Sequence, residues 1–546
     1  MITLTIKDTQ EKQIQMEKGV TGKQILPLFN KKSVVAAFKI NNQIFPLSSQ
    51  VQFDAVIEPV YLDSKEGFSI YKNSLCFVLT LACRRIFPEN RLIIGHSLGN
   101  AYFYTLENKT ITSGDTQLLK AEMKKIIKND SEFIPGYLPY NQANEIFEKE
   151  GLKDTVKQLK FNCKSIVFTT SLEEYTDIYY EPTLPSTKDL IYFDLMKYEN
   201  GMLLRFPESK NGIEPYSDNP KIFQIFKEYK DWGKRVGVSS VSDLNALVSR
   251  RKINDFIDIT ETFQSQNYAR VAKQIYDRKN VKAVLIAGPS SSGKTTSAKK
   301  LALHLTALCY NPKIISLDNY YVGRSQNPKD ENGNYDYECL EALDIALLNK
   351  NLNDLFEGKE VEIPSYNFDL GERYYTGEKM LLQKNDILII EGIHGLNDKL
   401  TPLVKKEFKF KIYLSALTQL TLNDHTRIST SDNRLIRRIV RDARYRGKSA
   451  AETISMWDNV RKGESLHIFP FQNNADAVLN TALDYELSVL KVYAVPLLSC
   501  VTPDQKEYAA ASRLINFLNN FHQIPDNYIP KQSIVREFIG GSSFHY

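Results

Sequence analysis

The sequence predicts an α/β fold built on a central parallel sheet and preceded by smaller β-rich and α+β segments, on three observations. The stretch KAVLIAGPSSSGKTTSAKKLALHL (282–305) passes from an apolar run (283–287) through a Gly/Ser turn into apolar residues at helical spacing, Ala298, Leu301 and Leu305, continuing to Leu308. Four further strand-like runs follow, KIISLD (313–318), DILIIEGI (386–393), FKIYLSA (410–416) and ADAVLNT (475–481), most of them separated by helical segments. Alternating strand and helix argues for a parallel sheet covered on both faces. The first 60 residues instead carry short alternating runs, ITLTI, VVAAFKI and VQFDAVIEPV, around one helical patch at 22–29, the pattern of a small, mostly β module.

At 546 residues the chain exceeds a single hydrophobic core, and length alone suggests about three or four domains. The 70 Lys+Arg against 65 Asp+Glu leave a net charge of only +5, a weak signal for nucleic-acid or membrane partners. Six cysteines at 76, 83, 163, 309, 339 and 500 lack CxxC spacing and read as reduced thiols, not as a disulfide frame or a zinc site. The alternating, early-charged opening MITLTIKDTQEKQI is unlike a signal peptide, and the longest apolar run, 75–83, is too short to span a bilayer. A cytoplasmic location without a membrane partner is the expectation.

Taken in order, residues 1–62 hold no catalytic pattern. Their form is similar to the TGS domain, the ubiquitin-like unit that opens threonyl-tRNA synthetases, and the resemblance implies a β-grasp fold. In residues 63–206 the resemblance to those synthetases continues and then fails. The family's editing domain has Glu-Gly leading into a helix with HSxxH, then an IGP-type strand and D-x-C-x-x-x-H, and the four His/Cys side chains form a metal-type site. Here Glu66 and Gly67 lead into IYKNSLCFVL, with Asn73 and Phe77 at the histidine positions. RLIIGHSLGNAYFYTL follows the family's strand, and YTDIYYEPTLP keeps Asp177 but has Tyr179 and Thr183 at the Cys and His positions. The resemblance implies an α+β editing-like domain that has lost all four ligands, and no zinc is expected, since Tyr and Asn are poor zinc ligands and Phe is none. His96, the only histidine in the first 300 residues, reads as a hydrogen-bonded structural residue.

Residues 207–280 turn helical and charged, with Ile222, Phe223, Ile225, Phe226, Tyr229 and Trp232 on one face, a Ser-rich break at 238–243, and a second apolar spacing from Phe263 to Tyr276. Core contacts within a helical linker explain this pattern. No internal repeat or low-complexity tract is present.

The loop in residues 281–505 carries the chemistry. Gly288 through Gly293, Lys294 and Thr295 fit G-x-x-x-x-G-K-[ST], whose backbone N–H groups and helix N-terminus face a phosphate. A chance match is the alternative, and background usage of these residues gives about 0.02 of them in a chain this long. Candidate nucleotide-binding residues are Gly288, Ser290, Ser291, Ser292, Gly293, Lys294, Thr295 and Thr296. Lys294 would reach the β/γ-phosphates and Thr295 would hold Mg²⁺. Asp318 closes the second strand-like run and Glu391 ends the apolar part of the third. A carboxylate at such a strand end binds Mg²⁺, takes the acceptor's proton, or merely caps the next element. RLIRRIVRDARYRGK (434–448) carries six arginines to one lysine. Most charge-rich helices are solvated faces, but planar guanidinium donors suit a transferring phosphoryl group, and a mobile lid would bring one or two over ATP.

These ordered motifs, covering 282–498, resemble the uridine kinase and phosphoribulokinase branch of P-loop kinases. The resemblance implies a P-loop nucleoside kinase domain with ATP and Mg²⁺ as cofactors, behind the TGS-like and editing-like segments. SLDNYY resembles the family's S-x-D-S-F-Y, which implies Asp318 as general base and Tyr321 as an aromatic on the nucleoside side. GNYDYECLEALD resembles NFDHPDAFD, which implies Asp336 on ribose hydroxyls and Tyr335 near the base. IPSYNF resembles the base-pocket segment, giving Tyr366 and Phe368, and EGIHGL resembles the strand-end E-G-I, giving Glu391 to Mg²⁺. RLIRRIVRD resembles R-L-x-R-R-I-x-R-D, implying Arg434 at the ribose and Arg437 at phosphate. One departure concerns the acceptor: Gly371 stands where uridine kinases have a histidine that donates to the pyrimidine carbonyl, and an unpaired carbonyl there costs about 1–3 kcal/mol. The tail, 506–546, shows a helical stretch (511–521) and a Gly540–Gly541 turn, with no chemistry assigned.

The expected activity is thus ATP- and Mg²⁺-dependent phosphorylation of a nucleoside 5′-hydroxyl. Two alternatives stay open. One is a nucleotide-gated RNA- or ribosome-associated binding protein, against which the near-neutral charge weighs. The other is a sugar or phosphosugar kinase of the phosphoribulokinase type, for which Arg324 and Arg373 are candidate acceptor-side cations. A homo-oligomer is also left open.

Overall fold

The structure is a computed structural model that describes residues 1–30, 33–162, 164–178, 180–207, 212–329, 333, 335–367 and 370–545. Phe368, Tyr179 and Cys163 lie outside the described residues.

Alternation at the start of the chain becomes a five-stranded sheet. Ile2–Lys7 lies parallel to Ala55–Tyr61, with Glu11–Met16 on one side and Val35–Ile40 and Gln43–Phe45 on the other. Ile2, Leu4 and Ile6 point into the core while their neighbours are wetter, the period-2 signature of a sheet with one dry face. The helical patch is a single turn, Gly22–Ile25, continuing as a 3₁₀ turn to Leu28.

The next segment is α+β. The helix Lys65–Ile86 packs beside a four-stranded antiparallel sheet (Asp194–Tyr198, Gly201–Arg205, Ala101–Leu106, Leu92–Leu98) and a three-stranded one (Phe133–Pro139, Ile166–Leu172, Tyr175–Ile178). At one of the positions compared with the synthetase ligands, the Phe77 ring fills space against Phe133 (5.9 Å) and Tyr175 (5.2 Å). Asp177 accepts from the Tyr175 hydroxyl at 2.8 Å and lies 2.7 Å from Nδ1 of His425, a residue of the C-terminal half. No group of three or more His, Cys, Asp or Glu among the described residues is arranged to hold a metal. His96 is held differently from the sequence expectation: its ring stacks on Phe226 at 5.0 Å and its Nδ1 has no hydrogen-bond partner among the described residues. Burial, with Arg427 and Lys230 nearby, pushes its pKa down to about 3, so it is neutral packing material.

Three helices, Pro220–Val236, Val241–Ser249 and Ile253–Asp277, bridge to the C-terminal half. The Ser-rich break between the first two is a capping box, in which Ser240 and Asp243 satisfy each other's backbone N–H groups. No helix among the described residues is long and apolar enough to cross a membrane.

The C-terminal sheet is wholly parallel. Its strands are β1 (Ala283–Ala287), β2 (Asn311–Ser316), β3 (Asp386–Glu391), β4 (Lys409–Ser415) and β5 (Ala477–Asn480), in the spatial order β2-β3-β1-β4-β5. Apolar cores on both faces explain why β1 and β3 are almost continuously apolar. Helix α1 (Lys294–Thr306) follows β1 and covers one face. Helices α2 (Thr430–Tyr445) and α3 (Ala450–His467) come between β4 and β5, and the short α4 (Arg536–Ile539) lies in the tail. Asp318 does not close β2, which ends at Ser316; it sits two residues on, in the 3₁₀ turn Leu317–Tyr320, and its own N–H donates to the Ser316 hydroxyl. Between β2 and β3 stands an antiparallel hairpin, Val361–Asn367 with Glu372–Met380, whose two strands the sequence pattern had not separated.

Candidate active site

Register places the mouth of the site. Ile286 of β1 and Ser316 of β2 both pair with Glu391, the last residue of β3, so three strand ends and the loop after β1 converge. That loop needs two of its glycines for steric reasons. A Cβ on Gly288 would lie 2.6 Å from the Leu414 carbonyl oxygen, and Gly293 holds φ at +83° where α1 begins. Lys294 Nζ curls back to the carbonyls of Gly288 (3.2 Å) and Pro289 (3.4 Å). The buried hydroxyls of Ser291 and Ser292 have no hydrogen-bond partner among the described residues. A cradle of orphaned donors around a helix N-terminus fits a phosphate chain.

Opposite the loop, the Thr295 hydroxyl donates to Glu391 Oε1 at 3.2 Å and the Ser316 hydroxyl donates to the same oxygen at 3.0 Å. Burial, then the charge of Asp318, pushes the Glu391 carboxyl up to about 7, while Lys294 pulls the other way. A buried carboxylate that accepts from two hydroxyls and is raised by the nearby charge of Asp318 makes an oxygen-rich set of the kind a small hard cation neutralises. Thr295 and Glu391 are therefore fitted to hold Mg²⁺, with Asp318 within its field.

On the acceptor side, the rings of Tyr321 and Tyr366 meet at 5.6 Å, and the Tyr321 hydroxyl donates to the Tyr337 carbonyl at 3.1 Å. Asp336 is part-exposed, accepts from the Glu338 N–H at 3.0 Å and lies 3.8 Å from His467 Nε2. Tyr335 is 40% exposed at the rim, so it does not wall a closed pocket. Gly371 sits in the hairpin turn at φ +71°, and a Cβ there would meet Arg324 at 2.8–2.9 Å. The histidine of uridine kinases has no room at this position unless Arg324 moves.

The arginines of α2 are placed differently from the resemblance-based expectation. Arg437 is fully buried behind the loop. It donates to Glu486 at 3.0 and 2.6 Å, to the Ser291 carbonyl at 3.2 Å and to the Thr481 carbonyl at 2.8 Å. Every direction of its guanidinium is used, so it braces the loop and does not face the phosphate. Arg434 likewise pairs with Glu464 and donates to the Ser290 carbonyl at 3.1 Å, with no bond to Asp336 among the described residues. Arg438, which the motifs did not single out, donates to the Ser290 hydroxyl at 2.7 Å.

Three carboxylates escaped the sequence reading. Glu464 accepts from the Ser290 N–H at 2.9 Å, and Glu537 of α4 accepts from the Thr296 N–H at 3.2 Å and its hydroxyl at 2.5 Å. Glu338 packs on Gly463, and burial followed by Glu464 pushes it up to about 7. Glu464 and Glu537 lie in no motif, Glu338 lies within GNYDYECLEALD without a role of its own there, and only the fold brings the three together.

A parallel α/β sheet with a phosphate-binding loop, strand-end acids and an arginine-bearing helix defines a P-loop phosphotransferase class. Residues 283–488 match the family model described as "Phosphoribulokinase / Uridine kinase family". A uridine kinase of Staphylococcus haemolyticus is 30% identical over 201 residues, which are 37% of this chain and 87% of that protein. The chain belongs to the phosphoribulokinase/uridine kinase family. Its N-terminal half is similar to threonyl-tRNA synthetases: the threonine–tRNA ligase of Clostridioides difficile is 27% identical over 193 residues, covering 34% of this chain and only 30% of the ligase. A solved structure of a possible uridine kinase from Bacillus stearothermophilus is 19% identical, with a TM-score of 0.27, covering 39% of this chain and 98% of that one.

Proposed function

We propose that this protein transfers the γ-phosphoryl group of ATP to the 5′-hydroxyl of a nucleoside, with Mg²⁺ as cofactor. The observation that carries the reading is the convergence of Thr295, Ser316, Glu391 and Asp318 at the mouth of the loop, joined to membership in a family of kinases. Lys294 and the loop amides bind the β/γ-phosphates once Lys294 uncurls from the Gly288 carbonyl. Thr295 and Glu391 hold the cation, whose charge offsets that of the phosphates. Asp318 accepts the proton of the acceptor hydroxyl while its oxygen forms a bond to phosphorus and the bond to ADP breaks. Arg438 reaches the loop through the Ser290 hydroxyl. Asp336 with His467 grips ribose hydroxyls, and the Tyr321–Tyr366 pair lies along the base. A pyrimidine nucleoside is the first acceptor to test, with Arg324 supplying the donor that Gly371 lacks.

A sugar or phosphosugar acceptor is the second reading, favoured by Arg324 beside the acceptor hairpin. Arg373 does not add to it, since it pairs with Asp344 at 3.0 Å. Steady-state ADP release with uridine, cytidine, the purine nucleosides and phosphopentoses in parallel separates the two readings. Saturable turnover with a nucleoside is expected. Turnover with a phosphopentose alone would replace the first reading with the second.

A further inference from the structure

The tail beyond the family match carries a carboxylate into the phosphate cradle. Thr296 is the third residue of α1, and the first N–H groups of a helix have no partner within it. In a phosphate-binding loop those donors face the α/β end of the nucleotide's phosphate chain. Here the Thr296 N–H and hydroxyl are both taken by one oxygen of Glu537, at 3.2 and 2.5 Å.

The segment bearing Glu537 is built in. Ile534 packs against Gly293, where a Cβ would lie 2.4 Å from its Cδ1, and Phe538 lies under the Arg437 guanidinium at 5.0 Å. Ser533 bonds the Tyr485 hydroxyl at 3.1 Å, and Ile534, Val535, Phe538 and Ile539 are all buried. Those anchors hold the backbone close to the loop and leave one negative group aimed at its donors. An anion at a helix N-terminus is stabilised by the aligned peptide dipoles; two anions at the same donors repel.

We infer that the Glu537 carboxylate is an internal stand-in for the donor nucleotide's phosphate, capping α1 in the nucleotide-free protein and being displaced by side-chain rotation when ATP binds. Glu537 thereby sets donor affinity, since the nucleotide binds only the fraction of molecules whose cradle is open. The inference rests on the donor-site reading of the loop and not on which acceptor is used.

The test is calorimetric titration of Mg-ATP, without acceptor, into the full-length protein and its Glu537→Gln and Glu537→Ala variants. Glu537→Gln keeps the size of the side chain and removes its charge, so the anchors stay filled. Both variants are expected to bind ATP about tenfold more tightly than the wild type. Their melting temperatures without nucleotide should fall, because α1 loses its cap, whereas the rise in melting temperature on adding ATP should be larger than in the wild type. A wild type that binds ATP beside variants with unchanged or weaker affinity overturns the inference alone. Failure of wild type and variants alike to bind ATP overturns the donor-site reading and the inference with it.

Discussion

Glu391 shows how a single position combines stability and chemistry. Its carboxyl is buried at the end of β3, accepts from two hydroxyls and is held near 7 by burial and by Asp318. Because the folded-state pKa is raised, the protonated form is the one folding favours. The resulting stabilisation is complete below the ordinary carboxylate range and is lost as pH rises through about 7. Cation binding needs the ionised form, so it runs the other way. ATP turnover at low Mg²⁺ should rise with pH through about 7, and the midpoint should move to lower pH as Mg²⁺ is increased. A pH–rate series at two Mg²⁺ concentrations checks this; coincident profiles would separate Glu391 from the metal. Asp318→Asn should lower kcat by about 10²–10⁴ with ATP affinity little changed, the mark of a lost general base. An equal loss in ATP affinity would make Asp318 a binding group instead.

Legibility at this scale followed locality. Lys294, Thr295, Asp318 and Glu391 lie at or just beyond the ends of apolar runs that announce themselves over a few residues. Arg437 does not behave as its motif implies because its partner, Glu486, comes from a helix 49 residues later. Glu537 was invisible because a lone glutamate in a tail has no periodicity.

At the scale of elements, the loop, β4 and α2 form one packed unit. Gly288 abuts the Leu414 carbonyl of β4 while Ser290 and Ser291 are braced by Arg434, Arg438 and Arg437. A methyl group at Gly288 has no space unless β4 or the loop moves, so Gly288→Ala should destabilise the protein by about 1–3 kcal/mol and weaken ATP binding more than tenfold. Chemical denaturation and nucleotide titration read the two effects separately. Strand existence was readable from apolar runs, and β1 and β3 fall where those runs lie. The 3₁₀ turn bearing Asp318 and the hairpin around Gly371 were less so, since capping by Ser316 and a left-handed glycine are single-residue devices.

Across the whole molecule, the N-terminal half grips the segment that leads into α2. Asp424 is completely buried, pairs with Arg91 at 2.7 Å and accepts from the N–H groups of Asp154 and Thr155 at 3.0 and 2.9 Å, capping the helix Lys153–Asn162. His425 meets Asp177 next door, and Arg513 joins Asp432 at the start of α2 to Glu181. Removing the Asp424 carboxylate leaves Arg91 only Asp154 (3.2 Å) and Glu107 (3.3 Å) and uncaps the helix, a loss of about 1–3 kcal/mol. Asp424→Ala should therefore split thermal unfolding into separate transitions for the two halves, whereas the wild type should unfold as one. Calorimetry decides it, and an unsplit transition in the variant would show that other contacts couple the halves. Contacts between residues 333 positions apart leave no trace in local pattern, which is why the sequence described each half but not their junction. The positions compared with the synthetase ligands illustrate the same limit: their residues were readable, but not that His425 would arrive beside Asp177.

The central claim is phosphoryl transfer from the loop of 288–296 to a nucleoside hydroxyl. Single-turnover transfer of γ-labelled phosphate from ATP to a nucleoside panel, by wild type and by Lys294→Ala, tests it most directly. A labelled nucleoside 5′-monophosphate is expected with wild type, and at least about a hundredfold slower transfer with the variant. A folded wild type that binds ATP but labels no nucleoside would contradict it.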